Sequence, residues 1–259
     1  MRFRAIALAA SLIFATQANG QGVLVNARAQ VQSADYRFSG HLVHVDANGN
    51  RLSFPINIKA HWFPGDLKVL LEVGAASKTG ANSPAAGHFP ARLLLEMRPN
   101  GQSTIQIVHP GDAAPTALPF DQWKDGLLGD EFSYEDFLET TYFWAGQTAL
   151  GKAKYGTRDC DLLRSTPGAL DKTHYAEVKS WLDHVSGFPA HVEKTLKASA
   201  NVKEFTYFGL RKTEGVWSAT QVEVKIRGHS GSTLLIIDHG SPKAHLSLND
   251  FSTAQLMHF

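Results

Sequence analysis

Residues 129–146 read GDEFSYEDFLETTYFWAG, and the fold turns on what this stretch does between two sets of alternating segments. Ser133 is placed as an N-cap, with Asp136 three residues on in the position that Glu or Gln takes in a capping box. Phe132 and Phe137 flank the cap at the spacing of a hydrophobic staple. Glu135 and Asp136 put negative charge at the positive end of a helix dipole, and Gly146 is placed to end the helix in a left-handed conformation. The pattern predicts one short amphipathic helix, with Phe137, Leu138, Thr141 and Trp144 inward and Tyr134 and Phe143 at the edges. By itself such a helix is a crossover that covers one end of a β core.

Upstream of it the chain alternates. Tyr36, Phe38 and Leu42 share one face of a segment ending at Val45, with Arg37, Ser39 and His41 on the other. Asp46-Ala47-Asn48-Gly49-Asn50 is a turn, and Leu52, Phe54, Ile56, Ile58 and Trp62 share a face of the next segment, so the two make a hairpin. Pro64-Gly65-Asp66 turns the chain into a third strand that carries Leu67, Val69 and Leu71 inward. Residues 74–90, rich in Gly, Ala, Ser and Pro, read as a long surface loop, followed by strands at 92–97 and 104–109.

Downstream, strands recur at 153–163, 175–184, 190–198, 202–210, 216–227 and 232–238, separated by short turns such as Thr166-Pro167-Gly168 and Thr213-Glu214-Gly215. Short turns make neighbours antiparallel. A sheet of so many strands must curl, and curling creates an inside. The expected fold is mainly β. A large curved antiparallel sheet forms either a closed barrel or an unclosed, half-open one, and short helices, including one at 22–33, lie against its concave face.

Arg2 and Arg4 precede an apolar run at 5–15 that is too short to span a bilayer, with small residues at Ala18 and Gly20. Residues 1–20 read as a cleaved secretory signal, leaving 21–259 as a single domain. No Cys lies near the cut, so the expected product is soluble and carries no lipid anchor. Without Arg2 and Arg4 the 25 basic residues fall to 23 against 24 acidic ones, a balance that speaks against nucleic acid or an anionic membrane as partner. Cys160 is the only cysteine, so stability must come from the core, which 43% hydrophobic composition can supply.

Reactive groups do not converge in this sequence. The twelve histidines include no H-E-x-x-H or Cys/His cluster, so no metal or other cofactor is expected. Gly228-His229-Ser230-Gly231 lacks the spacing of a nucleophile elbow and falls at a hairpin turn. Glu135, Asp136 and Glu139 read as dipole and solvation charges, and Cys160, between Asp159 and Asp161, reads as inert. An enzyme is not expected. What remains is an apolar trough under an aromatic cover, with Phe38, Phe54, Ile56, Trp62, Leu71, Phe132, Phe137, Leu138 and Trp144 as its expected lining. An acyl chain of about sixteen carbons would gain on the order of 12 kcal/mol gross from full burial, so a carrier that releases its cargo needs an incompletely closed site.

The segment 129–137 resembles the signature of the outer-membrane lipoprotein-sorting-like proteins, a branch of the LolA/LolB-like superfamily of periplasmic carriers. Arg158-Asp159-Cys160, Tyr175, Val178, Trp181-Leu182-Asp183, Pro189, Lys203, Gly215-Val216-Trp217, Thr233 and Leu248-Asn249-Asp250-Phe251 carry the same likeness. The resemblance implies an unclosed barrel of about eleven strands plugged by helices. It also implies binding of lipid or acylated lipoprotein in the periplasm, and an inner-membrane exporter of the RND type as a possible partner. The alternative is a non-enzymatic interaction module of an envelope export complex, whose interior is filled and whose rim alone docks.

Overall fold

The structure is a computed structural model that describes residues 21–75, 77–78, 91–99, 102–127 and 131–259. The expected signal at 1–20 and most of the loop at 74–90 lie outside the described residues.

Helix α1 covers 21–32. The first half of the sheet follows as β1 (Asp35–Val45), β2 (Arg51–Phe63), β3 (Asp66–Val73), the short β4 (Ser77–Lys78), β5 (Ala91–Met97), β6 (Thr104–Val108) and β7 (Thr116–Ala117). Three 3-10 turns come next, at Phe120–Gln122, Tyr134–Phe137 and Thr141–Phe143. The second half comprises β8 (Gly146–Tyr155), β9 (Arg158–Thr166), β10 (Tyr175–Asp183), β11 (Pro189–Leu196), β12 (Val202–Phe208), β13 (Arg211–Thr213), β14 (Val216–Ser218), β15 (Gln221–Ile226) and β16 (Ser232–Ser241). A 3-10 turn at Leu248–Phe251 and helix α2 (Thr253–Met257) end the chain.

All pairing in the large sheet is antiparallel, in the order β7-β6-β5-β3-β2-β1-β16-β15-β12-β11-β10-β9-β8. The two halves are joined where β1 pairs with β16, and the ends of the order, β7 and β8, do not meet. The barrel is therefore unclosed, as the family resemblance implies. Gly40 explains part of the curl. The β1–β16 register shifts between Ser39 and Gly40, and a Cβ on Gly40 would run into the Ile236 carbonyl oxygen. Such a bulge bends the strand and strengthens its twist.

Period-two alternation sorts side chains onto two faces. On the concave face Leu42, Phe54, Ile56, Leu67, Leu71, Leu93, Leu95 and Met97 join Phe132, Leu138 and Trp144 in the main core. On the convex face Leu70, Leu94 and Val108 pack under Leu246, Phe251 and Leu256 of the C-terminal segment. Helix α1 seats Ala27 against Leu163 and Leu182, and Val31 in the main core. Arg28 donates to the Tyr142 carbonyl at 2.8 Å and Gln30 to that of Ser186 at 3.1 Å, which ties α1 across the concave side.

Three expectations need correction. The strand placed at 153–163 is a hairpin, β8 and β9, turning at Gly156 with φ 57°. The strand placed at 216–227 is two, because β14 folds back on β13 as a separate ribbon before β15 rejoins the sheet. The β8–β9 division and the short unexpected β7 bring the large sheet to thirteen strands in its main order, two more than the resemblance implies.

The third correction concerns the organising stretch, which is two 3-10 turns and not one helix. Phe132, Leu138 and Trp144 are all buried, yet they are spaced by six residues. At about 100° per residue, six residues turn a helix through about 600°, so one continuous helix would point them in three directions. The chain breaks instead at Leu138, with φ −94° and ψ 87°, and the β-branched pair Thr140-Thr141 gives helix little support there. The capping box at Ser133 and Asp136 forms, and the Phe132 and Phe137 rings stack with centroids 5.4 Å apart. Gly146 does not end a helix. It opens β8, where a Cβ would run into Thr166 on the paired strand.

Candidate functional site

Between the sheet, α1 and the two 3-10 turns lies a cavity of about 230 Å³. Strand β1 supplies Tyr36 and Phe38, β12 supplies Phe205 and Tyr207, and β15 and β16 supply Val222, Leu235 and Ile237. The β13–β14 ribbon contributes Val216, Trp217 and Ser218. From the organising stretch come Phe132, Asp136, Phe137, Glu139, Thr141 and Tyr142, and α1 adds Gln30 and Val31. Most of the wall is apolar.

Of the residues expected to line a trough, Phe38, Phe132 and Phe137 are on this wall. Phe54, Ile56, Leu71, Leu138 and Trp144 are at most 5% exposed and lie in the packed core away from it. Trp62 stacks on Phe143 with centroids 5.5 Å apart. Sequence alternation ranks these positions alike, because it reports which face of the sheet a residue occupies. It does not report where along that face the cover leaves a gap.

Under the cavity floor sits a polar cluster that alternation does not reveal. Asp136, expected to be a solvated dipole charge, has a fully buried side chain. Its carboxylate accepts from Lys194 Nζ at 2.9 Å, Lys203 Nζ at 3.1 Å and the Tyr175 hydroxyl at 2.7 Å. The Ser133 backbone N–H and hydroxyl donate to it at 2.9 and 2.8 Å. Burial pushes the Asp136 pKa up, but the two ammonium groups and the hydrogen bonds together outweigh it and hold the carboxyl well below its usual range. Lys203 also donates to Ser133 Oγ at 3.0 Å, and Lys194 lies 4.4 Å from the Phe205 ring centre. The signal that finds this cluster is the pairing of Asp136 with Tyr175 and Lys203 among the residues that carry the family likeness.

Glu135 is likewise buried and not a solvation charge. Its Oε2 accepts from the His174 backbone N–H at 3.2 Å and lies 3.2 Å from His174 Nδ1. Burial and the neighbouring Asp136 raise its pKa. Glu139 is on the cavity wall with its side chain exposed; desolvation by the surrounding protein raises its pKa, and Lys194 partly offsets this.

Other likeness residues meet in space. Arg158 donates to Asp183 at 3.2 Å, and Asp183 accepts from the Ser186 backbone N–H and hydroxyl, fixing the β10–β11 turn. Thr233 donates to Glu131 at 2.6 Å. Cys160 is 1% exposed; burial and Asp183 are the main influences that raise its pKa, ahead of the adjacent Asp161. Among the described residues no group of three His, Cys, Asp or Glu side chains is arranged to hold a metal ion, and no helix is long and apolar enough to cross a membrane.

A family model described as an uncharacterized protein matches residues 110–258. No curated protein matches the sequence. Among solved structures, an outer-membrane lipoprotein-sorting protein domain from Vibrio parahaemolyticus superposes with TM-score 0.78 at 17% identity, covering 93% of this chain and 99% of that one. A DUF1329 family protein from Desulfovibrio piger gives 0.74 at 16% identity, over 92% and 98% of the two chains. A LolA superfamily protein from Nitrosomonas europaea gives 0.66 at 14% identity, over 92% and 99%. At these identities the likeness is one of fold.

Proposed function

From the premise that this chain belongs to the family whose model spans residues 110–258, on a half-barrel of the lipoprotein-sorting and LolA kind, we propose that it is a soluble periplasmic carrier. Its cargo would be a lipid or the acyl chain of a lipoprotein, held in the cavity between the sheet and its cover. The observation that carries this reading is the cavity itself, at the place where a filled core would have side chains. A concave site walled mainly by apolar side chains with a few polar groups is the form that small-molecule sites take.

The cavity lies below the ~300–1,000 Å³ of pockets that enclose a drug-sized ligand, so it suits one chain and not a bulky ring system. The cover is light, since α1 and the 3-10 turns meet the sheet through side chains without extending its ladder. That is what a carrier requires if it is to release its cargo.

The reading is of a binding protein and not of an enzyme. The second reading, an interaction module with a filled interior that docks an envelope partner such as an RND-type exporter, does not account for the cavity. Native mass spectrometry of protein purified from the periplasm, before and after organic extraction, tests the proposal. A lipid-sized adduct that extraction removes is the expected result. Protein that is bare when isolated and takes up no alkyl ligand afterwards would refute it.

A further inference from the structure

The polar groups on the cavity wall constrain the head of whatever enters it. Glu139 sits at the break between the two 3-10 turns and faces the cavity. Among the described residues its carboxyl has no hydrogen bond and no ion pair; what acts on it is burial and the charge of Lys194. Three tyrosines from three elements share the wall: Tyr36 of β1, Tyr142 of the Thr141–Phe143 turn and Tyr207 of β12. All three phenols feel the Glu139 charge. Tyr142 donates to Ser180 at 3.4 Å, while the hydroxyls of Tyr36 and Tyr207 have no hydrogen-bond partner among the described residues. An acceptor and two hydroxyls thus face one largely apolar space; Glu139 is exposed and the tyrosines part-buried, so a ligand seated there would cover them and must then supply their partners.

Charge decides what that is. Lys194 and Lys203 bring two positive charges, and both already bond Asp136. With Glu139 ionised the four groups balance without any contribution from a ligand. An anionic head would meet Glu139 with no free cation on the wall among the described residues. A hydroxyl adds no charge, donates to Glu139 and accepts from a tyrosine.

We propose that Glu139, with Tyr36 and Tyr207, forms a head-group subsite that takes the hydroxyl end of an uncharged long-chain amphiphile and discriminates against chains ending in an anion. This rests on the carrier reading above and specifies its ligand.

The test is competition at pH 8 in the mature protein, with 1-dodecanol and laurate displacing N-phenyl-1-naphthylamine. Chain length is the same and only the head differs. A hydrogen bond to a charged group predicts that dodecanol competes about ten-fold or more better than laurate. Glu139→Gln should shrink that ratio by improving laurate, and Glu139→Leu should weaken dodecanol several-fold, both measured below their melting transitions. Equal or tighter laurate binding in the native protein, or a ratio unchanged in Glu139→Gln, overturns the subsite while leaving the carrier reading in place. No saturable naphthylamine binding overturns both.

Discussion

Asp136 shows how one side chain serves both local structure and the tertiary core. It closes the Ser133 capping box and also neutralises Lys194 and Lys203 beneath the cavity. Removing one partner of a buried ion cluster leaves the others uncompensated, so Asp136→Asn should cost about 3–5 kcal/mol in urea unfolding. Lys203→Met in the same background should cost less than the sum of the two single changes, because the lost partner is shared. The pH dependence follows from the depressed carboxyl. Its folded pKa lies below the ordinary 3.8, so its contribution is complete above that value and is lost as pH falls through the folded one. Native protein should therefore lose stability more steeply than Asp136→Asn below about pH 4, as thermal melts in citrate and phosphate would record. Glu139 has the opposite sign. A carboxyl whose folded pKa is raised disfavours the ionised fold above its ordinary value, and because Glu139 is exposed the effect is small, so Glu139→Gln should melt at the native temperature or slightly higher at pH 7. That sign distinguishes a residue kept for binding from one kept for stability.

At the scale of elements, the organising stretch divides its labour. Trp144 is 3% exposed in the packed core, while Phe137 is half-buried on the cavity wall. Trp144→Ala should cost about 3–5 kcal/mol of stability. Phe137→Ala should cost less and weaken naphthylamine binding more, a contrast that denaturation and titration together resolve. The sequence made the cap, the staple and the aromatic character of this stretch legible, since each depends on residues within five positions. The break at Leu138 was not legible, because it arises from burying Phe132, Leu138 and Trp144 at a spacing that no single helix serves. The same limit applies to Asp136. Local rules place an acid at an N-terminus in solvent, and only the pairing of β10, β11 and β12 brings Tyr175, Lys194 and Lys203 onto it.

For the whole molecule, the alternation of the strands was enough to foretell a curled sheet with its apolar face inward, and the family likeness added that it would be unclosed. It did not reveal that β1 and β16 join the halves, since long-range pairing leaves no local mark. Nor did it reveal that the C-terminal segment covers the convex face through Phe251 and Leu256. An unclosed sheet has edges, and β8 ends one of them over ten residues. A register shift between Ala149 and Gly151 and the exposed Lys152 and Lys154 guard this edge. Replacing both lysines by valine should produce concentration-dependent association in light scattering. The central claim is that the space between sheet and cover is a binding site, and blocking it is the most direct test. Ala34 lies on the cavity wall, so Ala34→Trp should fill the space while the fold is retained. In a fluorescence titration with N-phenyl-1-naphthylamine, the native protein should saturate at one site and a folded Ala34→Trp protein should lose most of that binding. Undiminished binding in the filled variant, or none in the native protein, would contradict the account.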